Sequence, residues 1–249
     1  MVHFVGAGPG AVDLITIRGA ELLKRADTLI YTGSLVSAEL LDYVKPDCRV
    51  FNSANMTLDE VIAVIADCRG DIVRLHTGDP SLYGAIREQM DRLNALGIQY
   101  DVCPGVSSFS GAAAALKTEY TLPNVSQSVI ITRIAGRTPV PDGESIRGLA
   151  AHGATMVIFL SAGMTARLQS ELLEGGYRED TPAAIVYKAT WSDQRIVRCT
   201  VGTLHSAASD AGISNHALIC VGGFLGDDYE LSKLYDPAFT TAFREGAQS

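Results

Sequence analysis

The chain has 249 residues, enough for one large domain or two small ones with a real core. Hydrophobic residues at 47% and charged residues at 19% exclude a disordered chain. With 28 acidic against 20 basic side chains the net charge is -8, which gives no general attraction for nucleic-acid phosphates.

The first half alternates short β-branched or aromatic runs with amphipathic patterns, the rhythm of parallel βαβ units. Strands are predicted at 2–5, 28–31, 49–51, 72–75 and 99–102, and helices at 16–25, 37–44, 58–68, 81–96 and 107–116. Thr57 and Glu60 form a capping box for the third helix, and Gly70 and Gly97 stop the third and fourth. The polar, Pro-containing stretch 117–126 breaks the pattern and separates a domain of residues 1–118 from one of residues 125–226. In the second domain, strands at 128–132, 155–160, 183–187, 194–200 and 217–221 alternate with helices at 145–151, 165–174 and 201–211. Residues 227–249 read as a polar, loosely ordered tail. The fold class is α/β.

Cys48, Cys68, Cys103, Cys199 and Cys220 are scattered without a C-x-x-C pair, and the five histidines lack H-x-x-x-H spacing. Neither a disulfide framework nor a metal site is expected, and the cysteine usage suits the reducing cytoplasm. The start MVHFVGAGPG lacks the basic region and long apolar stretch of a signal peptide, and the longest apolar run, around 155–164, is too short to span a bilayer. No membrane partner is expected.

Gly6-Ala7-Gly8-Pro9-Gly10-Ala11 follows a strand and precedes a helix, formally satisfying the G-x-G-x-x-A dinucleotide pattern. Two details oppose that reading. Asp27 precedes the second strand instead of ending it, and Pro9 removes an N–H that a pyrophosphate cradle would use. Taken alone, the loop is a tight β-to-α turn that needs glycine torsions. A second turn, His76-Thr77-Gly78-Asp79-Pro80-Ser81-Leu82-Tyr83-Gly84, places Asp79 as N-cap and Pro80 at the first position of the fourth helix. A third, Cys103-Pro104-Gly105-Val106-Ser107-Ser108, leads into a helix N-terminus whose free N–H groups favour a carboxylate. Parallel strands would bring all three turns to one sheet edge.

These segments, with Asp13-Leu14-Ile15-Thr16 and Ala26-Asp27-Thr28-Leu29-Ile30-Tyr31, resemble the tetrapyrrole (corrin/porphyrin) methylase superfamily over almost the whole chain. Within it, residues 76–84 and the run Thr132-Arg133-Ile134-Ala135-Gly136-Arg137-Thr138-Pro139-Val140-Pro141 are most similar to the branch that methylates carbon 11 of precorrin-4 in cobalamin biosynthesis. Uroporphyrinogen-III methyltransferases carry a second glycine where this chain has Thr77. The resemblance implies two α/β domains with the active-site trough and S-adenosyl-L-methionine between them, usually in a homodimer. It assigns Pro9 to the methyl-transfer trough, and Thr77, Gly78, Asp79, Leu82, Ser107 and Ser108 to the cofactor. It places Ala162, Tyr187, Ala189 and Ala217 beside adenine, Ala162 standing where other members commonly have methionine.

The sulfonium of S-adenosyl-L-methionine is already an activated electrophile and a pyrrole-derived carbon already a nucleophile, so positioning and water exclusion carry the rate. No catalytic base is named; Asp79 and His76 are the ionisable groups nearest the expected site. The substrate is a polycarboxylate and the protein acidic, which makes Arg133 and Arg137, in a Gly-Pro-rich loop, the candidates for carboxylate recognition. A cobalt-loaded precorrin-4 is the alternative substrate. From other classes, an NAD(P)-linked oxidoreductase has only the glycine loop in its favour, RNA methylation lacks basic runs interleaved with aromatics, and a non-catalytic binding module leaves the turn set without a purpose.

Overall fold

Five short strands of the first half, β1 (Val2–Gly6), β2 (Thr28–Tyr31), β3 (Arg49–Asn52), β4 (Ile72–His76) and β5 (Tyr100–Cys103), form one sheet in the order β3-β2-β4-β1-β5. Every pair in it is parallel, with Val2 opposite both Ile72 and Tyr100. The computed structural model describes residues 1–33 and 35–247; the last two residues of the expected tail lie outside the described residues. Buried on both faces, β1 and β4 read as near-continuous apolar runs, as parallel strands do. Helix α1 (Ile17–Arg25) lays Leu22 and Leu23 on Val5, Leu29, Val73 and Leu75. Helices α2 (Leu58–Asp67) and α3 (Ile86–Ala95) cover the other face, where Val61, Ile62, Ile65 and Leu93 meet Val2, Phe4, Ile30 and Ile72. Thr57 and Glu60 make the expected capping box. Helix α4 (Ser108–Leu116) follows β5.

Two expected helices of this half differ. Residues 37–44 form a 3₁₀ stretch, Ala38–Tyr43, instead of an α-helix. The fourth helix begins only at Ile86, because Tyr83 and Ala85 take left-handed torsions (φ 57° and 49°) that no right-handed helix accommodates. Asp79 is therefore not its N-cap and Pro80 not its first residue.

The second sheet contains β6 (Val129–Arg133), β7 (Thr155–Phe159), β8 (Pro182–Tyr187), β9 (Arg195–Thr200) and β10 (Ala217–Val221), in the order β6-β7-β10-β8-β9. It is mixed: β6 pairs with β7 in parallel, and β7 with β10 antiparallel. Helices α5 (Ile146–Ala150), α6 (Thr165–Glu174) and α7 (Leu204–Asp210) accompany it, with Met156, Ile158, Leu168, Leu172, Ile185 and Ile219 buried. The expected helix at 201–211 opens with a 3₁₀ turn, Val201–Thr203. Among its described residues the tail holds one 3₁₀ turn, Lys233–Tyr235, and exposes Leu231, Leu234, Tyr235 and Phe243.

Contacts group Met1–Ala115 with Tyr187–Arg195 as one unit, and Leu116–Val186 with the chain from Ile196 onward as the other. Residues 187–195, read from sequence as part of the second domain, thus count with the first, for reasons given below. Among the described residues no helix is long and apolar enough to cross a membrane.

Strand β4 buries two polar side chains, Arg74 (5% exposed) and His76 (2%). Arg74 donates to Gln89 Oε1 (3.0 Å) and to the Ile30 carbonyl (3.2 Å). Burial lowers its pKa to about 10, so it stays charged at neutral pH. Burial, helped by the Arg74 charge, pushes His76 down from 6.5 to about 3. Between those values the unfolded chain holds a proton on His76 that the folded chain does not, so acid weakens the fold across this window. His76→Leu should flatten that dependence, by up to about 1.4 kcal/mol per pH unit. Urea unfolding of both proteins at pH 7 and pH 4.5 checks it; parallel losses would contradict the assignment.

Candidate functional site

Because β4, β1 and β5 are adjacent and parallel, the turns that leave them emerge side by side. Their backbones interlock. Ala7 N–H donates to the His76 carbonyl (2.7 Å), Gly8 N–H to Gly78 O (3.3 Å) and Gly78 N–H to Gly8 O (2.9 Å). A Cβ on Gly6 would stand 2.5 Å from both Gly105 Cα and Gly78 O, and one on Gly105 only 2.2 Å from Gly78 O. Glycine at these two positions is a packing requirement.

Asp79 ties the second turn to the third. Its Oδ2 accepts from Gly105 N–H (2.8 Å), while Oδ1 accepts from the Ser81 N–H (2.8 Å) and the Ser81 hydroxyl. Burial alone would raise its pKa, but these hydrogen bonds outweigh it and hold Asp79 below the usual carboxylate range. It is an ionised latch with both oxygens engaged. Around it, Thr77 meets Thr32 hydroxyl to hydroxyl (3.5 Å), Leu82 is half-buried, and Ser107 is buried at the head of α4. A Cβ on Gly78 would lie 3.4 Å from Ser108 N and 3.6 Å from Ser107 Cα, so the missing side chain leaves a cradle over that helix head. Among the described residues no protein group accepts from the N–H groups of Val106, Ser107 or Ser108, the donors that a helix start leaves for a ligand. This donor set fits the carboxylate of an amino-acid moiety. The neutral, buried His76, whose Nε2 has no partner, faces no solvent and is not placed to take a proton from a ligand.

The glycine loop meets the segment Tyr187–Arg195. Ala11 N–H donates to Thr190 Oγ1 (3.0 Å), and Trp191 Nε1–H donates to the Pro9 carbonyl (3.1 Å). The indole covers Gly10 so closely that a Cβ there would be 2.1 Å from Trp191 Cδ1. With Ala7, Gly8 and Ala11 already donating and Pro9 lacking a donor, among the described residues only Gly10 retains a free N–H in this loop, which is no cradle for a pyrophosphate. A cavity of about 530 Å³ opens beside this contact, lined by residues 10–13, 37–39 and 190–192. In the same segment Ala189 is buried, and the Arg195 guanidinium lies 4.6 Å from the centre of the Tyr187 ring.

The remaining candidates lie in the second unit, at one edge of its sheet. Arg133 ends β6 opposite Phe159 of β7, buried Ala162 follows β7, and half-buried Ala217 starts the antiparallel neighbour β10. Arg133 holds its own loop: its guanidinium donates to the carbonyls of Ile134 (3.4 Å), Thr138 (3.2 Å) and Pro139 (2.6 Å). Arg167 adds a bond to Ala135 O (2.9 Å). Arg137 is exposed at the tip and makes no hydrogen bond or ion pair among the described residues.

Sequence reasoning missed the residues that hold the glycine loop, Thr190 at Ala11 and Trp191 at Pro9, although Trp191 is the one tryptophan in the chain. It also missed the backbone strain. Leu160 (66% exposed) and His216 carry φ of 52° beside Ala162 and Ala217, and Lys188 and Thr190 carry 45° and 71° beside Ala189. Non-glycine residues held there mark sites that the surrounding structure over-determines. Among the described residues no three His, Cys, Asp or Glu side chains gather as a metal would require.

Comparison with known proteins accords with this geometry. The model of the Tetrapyrrole (Corrin/Porphyrin) Methylases matches residues 1–205. Cobalt-precorrin-4 C(11)-methyltransferase of Methanocaldococcus jannaschii is 50% identical, over 98% of this chain and 96% of its own. Precorrin-4 C(11)-methyltransferase of a Sinorhizobium species is 45% identical, over 98% of each chain. The crystal structure of a cobalamin biosynthetic enzyme, cobalt precorrin-4 methyltransferase CbiF, superposes with a TM-score of 0.87 at 44% identity, covering 91% of this chain and 96% of that one.

Asp79→Asn tests the latch. An amide cannot accept on both sides, so its NH₂ must face the N–H of Gly105 or of Ser81, at a cost of about 1 to 3 kcal/mol at pH 7. Because the folded pKa of Asp79 is lowered, its contribution is present above about pH 3.9 and lost as pH falls through the folded value. Urea midpoints of the two proteins should therefore converge in acid; a constant gap would show that charge is not involved.

Proposed function

Because this chain belongs to the tetrapyrrole (corrin/porphyrin) methylases, we propose that it transfers a methyl group from S-adenosyl-L-methionine to carbon 11 of precorrin-4, in cobalamin biosynthesis. The observation that carries the reading is the interlock of three turns around Asp79, which leaves the donors at the head of α4 unused. Relatives matched over nearly their whole length are named for cobalt-precorrin-4 and for precorrin-4 at comparable identity, so both forms of the ring are candidate substrates.

When bound, S-adenosyl-L-methionine supplies a methyl group on a cationic sulfur, an electrophile that needs no activation by the chain. The free N–H groups at 106–108 receive the amino-acid carboxylate, and the Gly78 cradle gives it room. Thr77, Asp79 and Leu82 shape the wall beside it, with Asp79 fixing the turn because both its oxygens are occupied. Pro9 lines the reacting side, and its ring presents no donor to compete for substrate oxygens. Tyr187 and Ala189 are proposed for adenine in the first unit; Ala162 and Ala217 of the second are proposed on the family likeness alone. No side chain is assigned as base, since placing the nucleophilic carbon in line and excluding water supply the rate.

Incubation with methyl-labelled cofactor and precorrin-4, metal-free and cobalt-loaded in parallel, tests the reading. Product mass and the NMR position of the methyl should report one methylation at carbon 11. Tight NAD(P) binding in calorimetry with none of S-adenosylhomocysteine would overturn it.

For substrate carboxylates the two arginines divide the work. Arg137 contacts the substrate, and Arg133 holds the loop that presents it. Arg137→Ala should raise the tetrapyrrole KM about ten- to a hundredfold, the equivalent of about 1.5 to 3 kcal/mol, with cofactor affinity unchanged. Lysine at 137 should restore only part, lacking the bidentate fork. Steady-state kinetics with each substrate varied decides the matter.

A further inference from the structure

We infer that Thr190 and Trp191 are positioning residues for methyl transfer, acting through Pro9. The inference rests on the proposed function, in which Pro9 lines the reacting side. The segment that carries them is braced internally: Thr190 N–H donates to Gln194 Oε1 (2.7 Å), Trp191 N–H to the Lys188 carbonyl (3.0 Å) and Lys188 Nζ to Asp193 (2.7 Å). Thr190 is β-branched and held at φ 71°, a conformation that costs free energy and persists only where other contacts enforce it. That conformation accompanies an Oγ1 placed on the Ala11 N–H (3.0 Å).

Pro9 is gripped from two directions. On one side a Cβ added at Gly111 of α4 would stand 2.9 Å from Pro9 Cβ and 3.3 Å from the Thr190 methyl. On the other, Trp191 Nε1–H holds the Pro9 carbonyl while its ring seals Gly10. The second turn holds the loop at Ala7 and Gly8, but among the described residues it makes no hydrogen bond to Pro9 or Gly10, and the glycines at 8 and 10 leave the backbone there free to turn. The segment 187–195 removes that freedom at the one residue expected to touch the reacting groups. Thr190 and Trp191 need not touch them to set the distance of attack.

The experiment uses the full chain with Thr190→Val, Thr190→Ser, Trp191→Phe and Trp191→Ala. Thr190→Val and Trp191→Phe each delete one hydrogen bond and keep shape, so kcat should fall about two- to tenfold. Trp191→Ala frees the loop, and kcat should fall about a hundredfold. Thr190→Ser, which keeps the acceptor, should retain wild-type turnover. KM for the tetrapyrrole, affinity for S-adenosylhomocysteine and the melting temperature of the valine and phenylalanine variants should stay near wild type. Amide exchange at Ala11 gives a readout independent of any reaction: it should accelerate in Thr190→Val and not in Thr190→Ser. Unchanged Ala11 exchange in Thr190→Val overturns the inference, and so does a fall in kcat matched by equal losses of cofactor affinity and melting temperature in every variant. Should wild-type protein bind no S-adenosylhomocysteine and methylate nothing, the proposed function fails, and Ala11 exchange still decides whether Thr190 holds the loop.

Discussion

The approach of three backbones at Gly6, Gly78 and Gly105 is the constraint on which the first unit depends. At Gly6 and Gly105 a single Cβ would lie within 2.5 Å of the Gly78 carbonyl, so no side chain fits at either position and the second turn fixes the other two. The strand order makes this possible, since β1 lies between β4 and β5 and all three run the same way. The same contact decides what the glycine loop is for. A loop whose N–H groups are bonded to the next turn and to Thr190 cannot also wrap a pyrophosphate, so its glycines serve close packing and the positive φ of Gly8.

Charge completes what packing begins. Asp79 accepts from two turns at once, and a carboxylate is the one side-chain group of that size able to accept on both sides. Beneath it, β4 carries a buried guanidinium satisfied by an amide and a carbonyl instead of a carboxylate, and a histidine kept neutral beside it. Among the described residues this buried cation has no counter-ion, an unusual feature in a protein of net charge -8.

Much of this was legible in the sequence, and the losses have physical reasons. The central strands β1 and β4 were readable because burial on both faces writes largely apolar runs, and the Thr57–Glu60 box because its chemistry is local. Asp79 was misread as a cap because Asp-Pro is a good helix start in isolation; its partner Gly105 lies 26 residues away and no local pattern announces it. Likewise the contact of Thr190 and Trp191 with the glycine loop spans about 180 residues and leaves no periodic signal. Only the rarity of tryptophan could have pointed there. The family likeness supplied Tyr187 and Ala189, and composition could not have done so.

In the second unit the guanidinium groups around Arg137 are committed elsewhere. At its sheet edge Arg167 is paired with Glu171 (2.7 Å) and also holds the Ala135 carbonyl, while Arg147 reaches Glu174 (3.8 Å). Arg133 is drawn into the carbonyls of its own loop. These guanidinium groups rigidify the stretch from 133 to 140, and a rigid loop loses less conformational freedom when its tip engages a ligand. Arg137 keeps all its donors because its neighbours at the tip, Gly136, Thr138 and Pro139, offer no carboxylate. An uncommitted guanidinium on a stapled loop combines low ordering cost with full charge, the combination by which the proposed role of Arg137 toward a polycarboxylate would be met.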